Sequence, residues 1–201
     1  MALRKDEHIG RKTAVGSAIA GQFARAGIPV SIANTRGPDS LQNLTEKFGG
    51  MVSAKTLEEA LAADIVFLAV PFTAVETLAA ALPNWAGKII IDQTNAHGVP
   101  AEVLAERLST EVVAGLLPGA LVVKAFNQLP AAVLASDPSQ DGGKRVVFLA
   151  SNEDSAAESI KLLAVQLGFS PIFVGRLDEG GRLLHIPGPL VLHNLVEHPL
   201  K

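Results

Sequence analysis

The chain contains no cysteine among its 201 residues, and only 4% of them are aromatic. The lack of cysteine excludes disulfides, thiolate metal sites and cysteine catalysis. The formal net charge is -3, so the chain lacks the basic excess of a nucleic-acid-binding protein. No apolar run approaches about 18 residues without a charge or a turn former, so no membrane span is expected. These absences favour a soluble, cytoplasmic protein that binds neither nucleic acid nor a membrane.

Signatures of several other protein classes are also missing. Residues 1–7 are charged and have no apolar core of a signal peptide, and we expect them to be disordered. The five histidines include no pair at helical spacing with an acidic partner, so we expect no metal site. There is no Gly-x-Ser-x-Gly nucleophile motif and no phosphate-loop lysine motif.

Short apolar runs alternate with longer amphipathic segments. The apolar runs predict strands at 30–33, 65–70, 89–92, 121–124, 146–150 and 171–174. The segments between them predict helices near 16–26, 39–48, 57–62, 73–81, 100–108, 154–167 and 180–196. This alternation predicts an α/β fold, Rossmann-type and doubly wound, with a mainly parallel sheet in a single domain over 1–201. A polar loop at 137–143 precedes the last βαβ segment.

The segment before the first predicted helix resembles a phosphate-binding loop only in part. Gly16 opens the helix and supplies the last glycine of a Gly-x-Gly-x-x-Gly pattern, but Arg11 and Thr13 occupy the first two glycine positions. One interpretation is a basic N-terminus leading into an ordinary surface helix. The other retains a helix N-terminus that faces phosphate, with Thr13, Val15 and Gly16 beside the cofactor.

Asn34-Thr35-Arg36 follows the strand predicted at 30–33, where an NAD enzyme usually places an acidic residue against the adenosine ribose. The first acidic residue here is Asp39. A hydroxyl and a guanidinium suit a 2′-phosphate, which takes charge-assisted bonds from arginine. We therefore predict NADP(H) as the cofactor.

Three further strand ends carry candidate site residues, because ligands of an open α/β sheet bind at the carboxyl ends of its strands. In Ala69-Val70-Pro71, the proline either frees backbone groups beside a cofactor or begins the next helix, and both can hold. Asn95 either bonds the nicotinamide ribose or amide, or forms an Asx turn. Lys124 ends a buried strand, where it either has a function or snorkels to solvent.

These strand ends resemble the family of NADP oxidoreductases that use the deazaflavin coenzyme F-420, and the cytosolic domain of the six-transmembrane metalloreductases is similar. The resemblance spans about residues 8–195. It is carried by segments that occur in the family's order: Asn34-Thr35-Arg36-Gly37, Ala69-Val70-Pro71, Asp92-Gln93-Thr94-Asn95 and Lys124-Ala125-Phe126-Asn127.

The resemblance implies roles for individual positions. Thr35 and Arg36 are expected to hold the 2′-phosphate, while Ala69, Val70 and Pro71 line the cofactor path. Asn95 is expected to approach the nicotinamide. We count Asn34 and Ala125 among the cofactor-binding residues as well.

The sequence therefore predicts an oxidoreductase that transfers a hydride between NADPH and a small-molecule acceptor, either the deazaflavin coenzyme F-420, a flavin or a similar compound. Hydride transfer between two such rings needs no side-chain acid, and no catalytic residue is identified. The alternatives are a non-catalytic NADP(H)-sensing or partner-binding module with a degenerate phosphate loop, and a remnant that binds no nucleotide. Residues 180–201 are expected to cap the pocket or to form a homodimer interface, or else to cover one face of the sheet as a last helix.

Overall fold

Helices and strands alternate along the chain in a computed structural model that describes residues 8–200, with the side chains of 14–100 and 102–200. The disorder expected for residues 1–7 lies outside the described residues. The helices are α1 His8–Arg25, α2 Gln42–Phe48, α3 Leu57–Leu61, α4 Val75–Ala79, α5 Ala101–Leu104, α6 Ser109–Leu116, α7 Ala131–Ala135, α8 Asp154–Gln166 and α9 Gly180–Leu184. The strands are β1 Val30–Ile32, β2 Val52–Ala54, β3 Ile65–Leu68, β4 Ile89–Asp92, β5 Leu121–Ala125, β6 Ser139–Gln140, β7 Gly143–Ser151, β8 Ser170–Phe173 and β9 Val196–Glu197.

The larger sheet is built on three parallel strands in the order β3-β4-β5. The long strand β7 pairs antiparallel with β5, and β8 then pairs parallel with β7. The short strands β6 and β9 pair antiparallel with the start of β7. Apolar side chains from both faces of these strands enter two core clusters, one beside α1 and α8 and the other beside α4 and α6. The predicted α/β architecture with a mainly parallel sheet is confirmed.

Strands β1 and β2 form a separate parallel pair, joined to the larger sheet by packing under α1. Phe23 of α1 meets Phe67 of β3 edge-on, with ring centroids 5.7 Å apart. The buried Gln22 amide donates to the carbonyls of Leu134 (2.5 Å) and Ser136 (2.7 Å) at the end of α7. Helix α1 therefore holds together both sheets and α7.

The predicted start of the first helix at Gly16 is wrong, because α1 begins at His8. Among residues 8–200 no strand precedes α1. The reason is local: residues 11–15 contain no glycine or proline, and without such a break the backbone continues as helix. The partial phosphate loop is thus part of a helix.

The C-terminal prediction of a helix over 180–196 is also wrong. Helix α9 ends at Leu184, and Pro187 follows within one turn and cannot continue a helix. The chain then runs irregularly until β9 pairs with β7. The polar loop predicted at 137–143 contains β6 and a tight turn through Asp141 and Gly142, both of which have positive φ.

Helices α6 and α7 are missing from the sequence prediction, and the helix predicted near 100–108 ends at Leu104. Within residues 8–200 no helix has the length and hydrophobicity needed to cross a bilayer.

Candidate functional site

The carboxyl ends of β1, β3, β4 and β5 carry most of the predicted site residues. Strands β3, β4 and β5 are parallel and in register, so their ends lie at one edge of the sheet. The segments that follow these strands contain polar side chains, and their contacts define what the edge can bind.

The loop after β1 is ordered by its own polar groups. Asn34 Oδ1 accepts from the backbone N–H of Arg36 at 2.9 Å, and Asn34 Nδ2 donates to Ser40 Oγ at 2.9 Å. Asn34 therefore shapes the loop, while Thr35 and Arg36 are exposed. Within the described part of the chain Arg36 makes no salt bridge. A guanidinium and a hydroxyl on two adjacent exposed residues can together bind a 2′-phosphate.

Helix α1 and the end of β3 meet at Gly16 and Ala69. A Cβ added to Gly16 would lie 3.5 Å from Cβ of Ala69, which is an ordinary van der Waals contact. Val70 and Pro71 are half-buried beside this point. The carbonyl of Pro71 accepts from the N–H of Ala74 at 2.9 Å, so the proline begins a short 3-10 turn as well as ending the strand segment.

Thr13 and Val15 lie between the two ends of helix α1 and not in a loop. The side chain of Val15 packs against the core cluster under α1, while that of Thr13 lies outside the described residues. The backbone N–H groups of helix residues after the first turn are bonded to carbonyls within the helix. A pyrophosphate therefore cannot use the N–H of Gly16 as it would in an intact glycine loop.

A buried ion pair joins the ends of β4 and β5. Lys124 Nζ donates to Asp92 Oδ2 at 3.0 Å, and both side chains are essentially inaccessible. The same ammonium also bonds the carbonyl of Thr94. Asp92 Oδ1 accepts from Thr94 at both its N–H (2.8 Å) and its Oγ (2.7 Å), so the Asx turn at this strand end is made by Asp92 and not by Asn95. The alternative that Lys124 snorkels to solvent is wrong.

Beyond this pair, Asn95 and Asn127 bond each other. Asn95 Nδ2 donates to the carbonyl of Asn127, and Asn127 Nδ2 donates to Oδ1 of Asn95, both at 2.9 Å. Asn127 Nδ2 also donates to the carbonyl of Leu184 at 2.8 Å. The amide of Asn95 is thereby held half-buried at the end of β4, which is the position predicted to face the nicotinamide.

Ala125 is fully buried in the core cluster beneath α1. Its side chain packs in the core beneath the strand ends and does not reach the surface of the site.

His185 directly follows α9 and contacts the start of α6. Its Nδ1 accepts from the backbone N–H of Ser109 at 3.4 Å and lies 3.2 Å from Ser109 Oγ. Because Nδ1 is an acceptor, the neutral ring carries its proton on Nε2. Burial lowers the pKa of His185, and the positive charge of Lys124 lowers it further.

Some buried polar atoms in this region have no hydrogen-bond partner among the described residues. They include Oδ1 of Asn127, Oγ1 of Thr110 and both amide atoms of Gln93. Buried polar groups in folded proteins are nearly always satisfied, so each of these atoms needs a partner such as an ordered water.

Sequence reasoning missed Asp92, Ser109, Asn127 and His185 as site residues. For Asp92 a signal was present, since two neighbouring apolar strands end in opposite charges and these charges are register partners. For Ser109 and His185 the sequence offered no signal, because 76 positions separate them.

Comparison with known proteins gives consistent matches. The family model described as "NADP oxidoreductase coenzyme F420-dependent" matches residues 13–96. Metalloreductase STEAP3 of Rattus norvegicus is 30% identical over 183 residues, which cover 86% of this chain and 36% of the relative. The chain therefore spans about a third of the length of that curated relative.

Two solved structures are similar over most of their length. The hypothetical protein SMa0349 of Sinorhizobium meliloti is 46% identical with a TM-score of 0.87, covering 92% of this chain and 91% of that one. A protein of Arthrobacter sp. FB24, assigned as an F420-dependent NADP-reductase, is 25% identical with a TM-score of 0.67, covering 83% of this chain and 82% of that one.

Proposed function

Because the chain belongs to the family of F420-dependent NADP oxidoreductases, we propose that it transfers a hydride between NADPH and a deazaflavin, a flavin or a similar small-molecule acceptor. The observation that carries this proposal is the loop after β1. Asn34 orders it from within, and the adjacent residues Thr35 and Arg36 are both exposed. In this arrangement both groups can bind the phosphate that distinguishes NADPH from NADH.

The remaining strand ends supply positions for the rest of the dinucleotide. The contact between Gly16 and Ala69 brings α1 close to the end of β3, where the middle of the cofactor would cross. Asn95 would hold the nicotinamide end, oriented by Asn127. When bound, NADPH supplies the hydride. The protein has to place the two rings in contact and exclude water, so no side chain has to form a bond.

A titration tests the cofactor first. We expect the purified protein to bind NADPH more tightly than NADH in calorimetry at fixed ionic strength. Oxidation of NADPH is then followed at its absorbance maximum with coenzyme F420, FMN and FAD as acceptors. Equal affinity for the two dinucleotides would contradict the assignment of NADP(H). Binding without reduction of any acceptor would contradict the hydride transfer.

The second candidate function is a non-catalytic NADP(H)-sensing or partner-binding module. The continuation of α1 to His8 supports it, because the glycine loop that normally holds the pyrophosphate is replaced by helix. This candidate predicts measurable NADPH binding with no turnover in the same acceptor panel. A homodimer also stays a prediction, which sedimentation of the purified chain tests.

A further inference from the structure

The imidazole of His185 is held in one protonation state by contacts from separate elements. The N–H of Ser109, at the start of the eight-residue helix α6, donates to Nδ1. Burial of the ring and the ammonium of Lys124 disfavour a second proton on it, and so does the positive end of the helix dipole. His185 is therefore a neutral imidazole whose Nε2–H points away from its anchoring contact.

The groups placed beside this ring come from β5 and α6. They are the ammonium of Lys124, which pairs with Asp92 of β4, and the N–H and hydroxyl of Ser109, which lie against Nδ1. Oδ1 of Asn127 and Oγ1 of Thr110 are buried and have no partner among the described residues. Among those residues Nε2 of His185 likewise donates no hydrogen bond. His185 therefore keeps one unused donor, on a half-buried ring that directly follows the Leu184 carbonyl bonded by Asn127.

The order of the strand ends separates this region from the cofactor positions. Arg36 follows β1, Ala69 follows β3 and Asn95 follows β4, in the direction from adenosine phosphate to nicotinamide. Asn127 follows β5, the next strand, and its amide bonds the residue before His185. The imidazole therefore lies near the end of β5, one strand beyond β4, whose end is predicted to face the nicotinamide.

We propose that Nε2–H of His185 binds the hydride acceptor, donating a hydrogen bond to the conjugated carbonyl oxygen or ring nitrogen on which negative charge develops. The inference rests on the proposed function and assigns a residue to its acceptor side. The acceptor gains the hydride with its two electrons, and the nicotinamide is oxidised. A proton from water completes the reduction, so the imidazole keeps its own proton and acts through the hydrogen bond alone.

The acceptor class that fits is a planar heterocycle with an amide-like edge. A carbonyl oxygen or a ring nitrogen of such an edge accepts from Nε2–H. Flavins and deazaflavins both present this edge.

The test compares His185→Phe, which keeps a planar ring without a donor, with His185→Gln, which keeps an amide donor. His193→Phe is the matched control, because His193 is an exposed histidine of the same C-terminal segment. For His185→Phe we expect kcat/KM for coenzyme F420 and for FMN to fall about a hundredfold. We expect His185→Gln to recover most of this loss, the control to match wild type, and the Kd for NADPH to stay the same in all variants.

A second readout needs no turnover. Oxidised FMN and coenzyme F420 are titrated into protein saturated with NADP⁺, and binding is followed by their visible absorbance. His185→Phe should raise the Kd of each acceptor about tenfold or more, the effect of losing one hydrogen bond to a charged or polarised group. Thermal unfolding of each variant shows whether the fold is retained.

The outcomes separate the two proposals. Wild-type protein that binds NADPH but reduces neither acceptor contradicts the proposed function, and the acceptor titration then decides the inference by itself. Unchanged acceptor binding in His185→Phe overturns the inference while leaving the proposed function intact. A loss of NADPH affinity in His185→Phe also overturns it, because His185 would then bind the nicotinamide.

Discussion

Asn95 and Asn127 bond each other reciprocally across the ends of two adjacent parallel strands, with both hydrogen bonds at 2.9 Å. Asn127 also reaches the carbonyl of Leu184, so a single amide connects the end of β4 to the C-terminal segment. The side chain predicted to hold the nicotinamide is therefore oriented by a neighbour that bonds it through its backbone carbonyl and its side-chain Nδ2.

Substituting Asn127 should reveal this dependence. Asn127→Ala removes two donated bonds, and we expect the free energy of unfolding to fall by about 1–3 kcal/mol. Asn127→Asp should lower the free energy of unfolding further at neutral pH, because a carboxylate oxygen would face the oxygens of Asn95 and Leu184. The repulsion raises the pKa of the new carboxyl, so this deficit should shrink as the pH falls and the group gains a proton to donate.

Urea unfolding at pH 7.5 and pH 5 measures both effects. Asn84→Asp is the control, because Asn84 is exposed and uses its Oδ1 to accept from Ala86, a role that a carboxylate retains. A deficit for Asn127→Asp that is independent of pH would contradict the proposed geometry.

The Lys124–Asp92 pair should respond differently to single and double substitutions. Asp92→Asn leaves a buried ammonium without a counter-charge, and we expect a loss of about 3–5 kcal/mol in the free energy of unfolding. The double variant Asp92→Asn with Lys124→Met should recover most of the lost stability, since Asn can still accept from Thr94. Glu158→Gln, in the exposed pair with Lys161, should change stability by less than about 1 kcal/mol. A double variant no better than the single one would disprove the charge argument.

His185 predicts a pH dependence of folding. Burial and the charge of Lys124 lower its pKa in the folded state relative to the unfolded chain. The unfolded chain therefore binds a proton first, and the stability contributed by the neutral ring is present above the unfolded pKa of about 6.5 and is lost as the pH falls. Unfolding by urea from pH 7.5 to pH 5 should show a steeper decline for wild type than for His185→Gln. Parallel curves would contradict this assignment.

The sequence predicted the central strands well because their residues are buried on both faces. Ile89-Ile90-Ile91 is a continuous apolar run, and β4 has the bounds that the run predicts. The sequence also marks Lys124 as an unusual residue at a buried strand end, but its partner Asp92 was not predicted, although the two are register partners. Local sequence and burial determine these features together.

Features that depend on distant contacts could not be predicted. Helix α7, Ala131–Ala135, is short and is held in place by Gln22 of α1, which lies 112 positions before Leu134 in the sequence. The contact of His185 with Ser109 exists only because α9 packs beside α6. The hydrophobic pattern after Leu184 resembles a helix, but the prolines prevent one, and β9 forms because β7 offers it an edge.

The docking of β9 on β7 should depend on Gly143. A Cβ at this position would lie 2.6 Å from both the carbonyl oxygen of Glu197 and Cγ1 of Val196, closer than real contacts allow. We expect Gly143→Ala to displace β9 and to lower stability by about 1–3 kcal/mol. Gly50→Ala is the control, since a Cβ there meets no atom within 4 Å. Hydrogen exchange should increase at residues 196–197 in the first variant only, and protected amides there would contradict the prediction.

Arg36 should determine the choice of dinucleotide. Arg36→Ala removes a charge-assisted bond to the 2′-phosphate, typically about 1.5–3 kcal/mol, so the Kd for NADPH should rise about tenfold to a hundredfold while that for NADH stays the same. Arg36→Lys keeps the charge but loses the bidentate geometry, so its Kd for NADPH should lie between those of wild type and Arg36→Ala. Arg176→Ala is the matched control, because this exposed arginine lies after β8 beside Asp178, away from the loop after β1. Calorimetry at one fixed ionic strength measures all four proteins. If Arg36→Ala and Arg176→Ala weaken NADPH binding equally, the effect is one of net charge, and the loop after β1 does not select the cofactor.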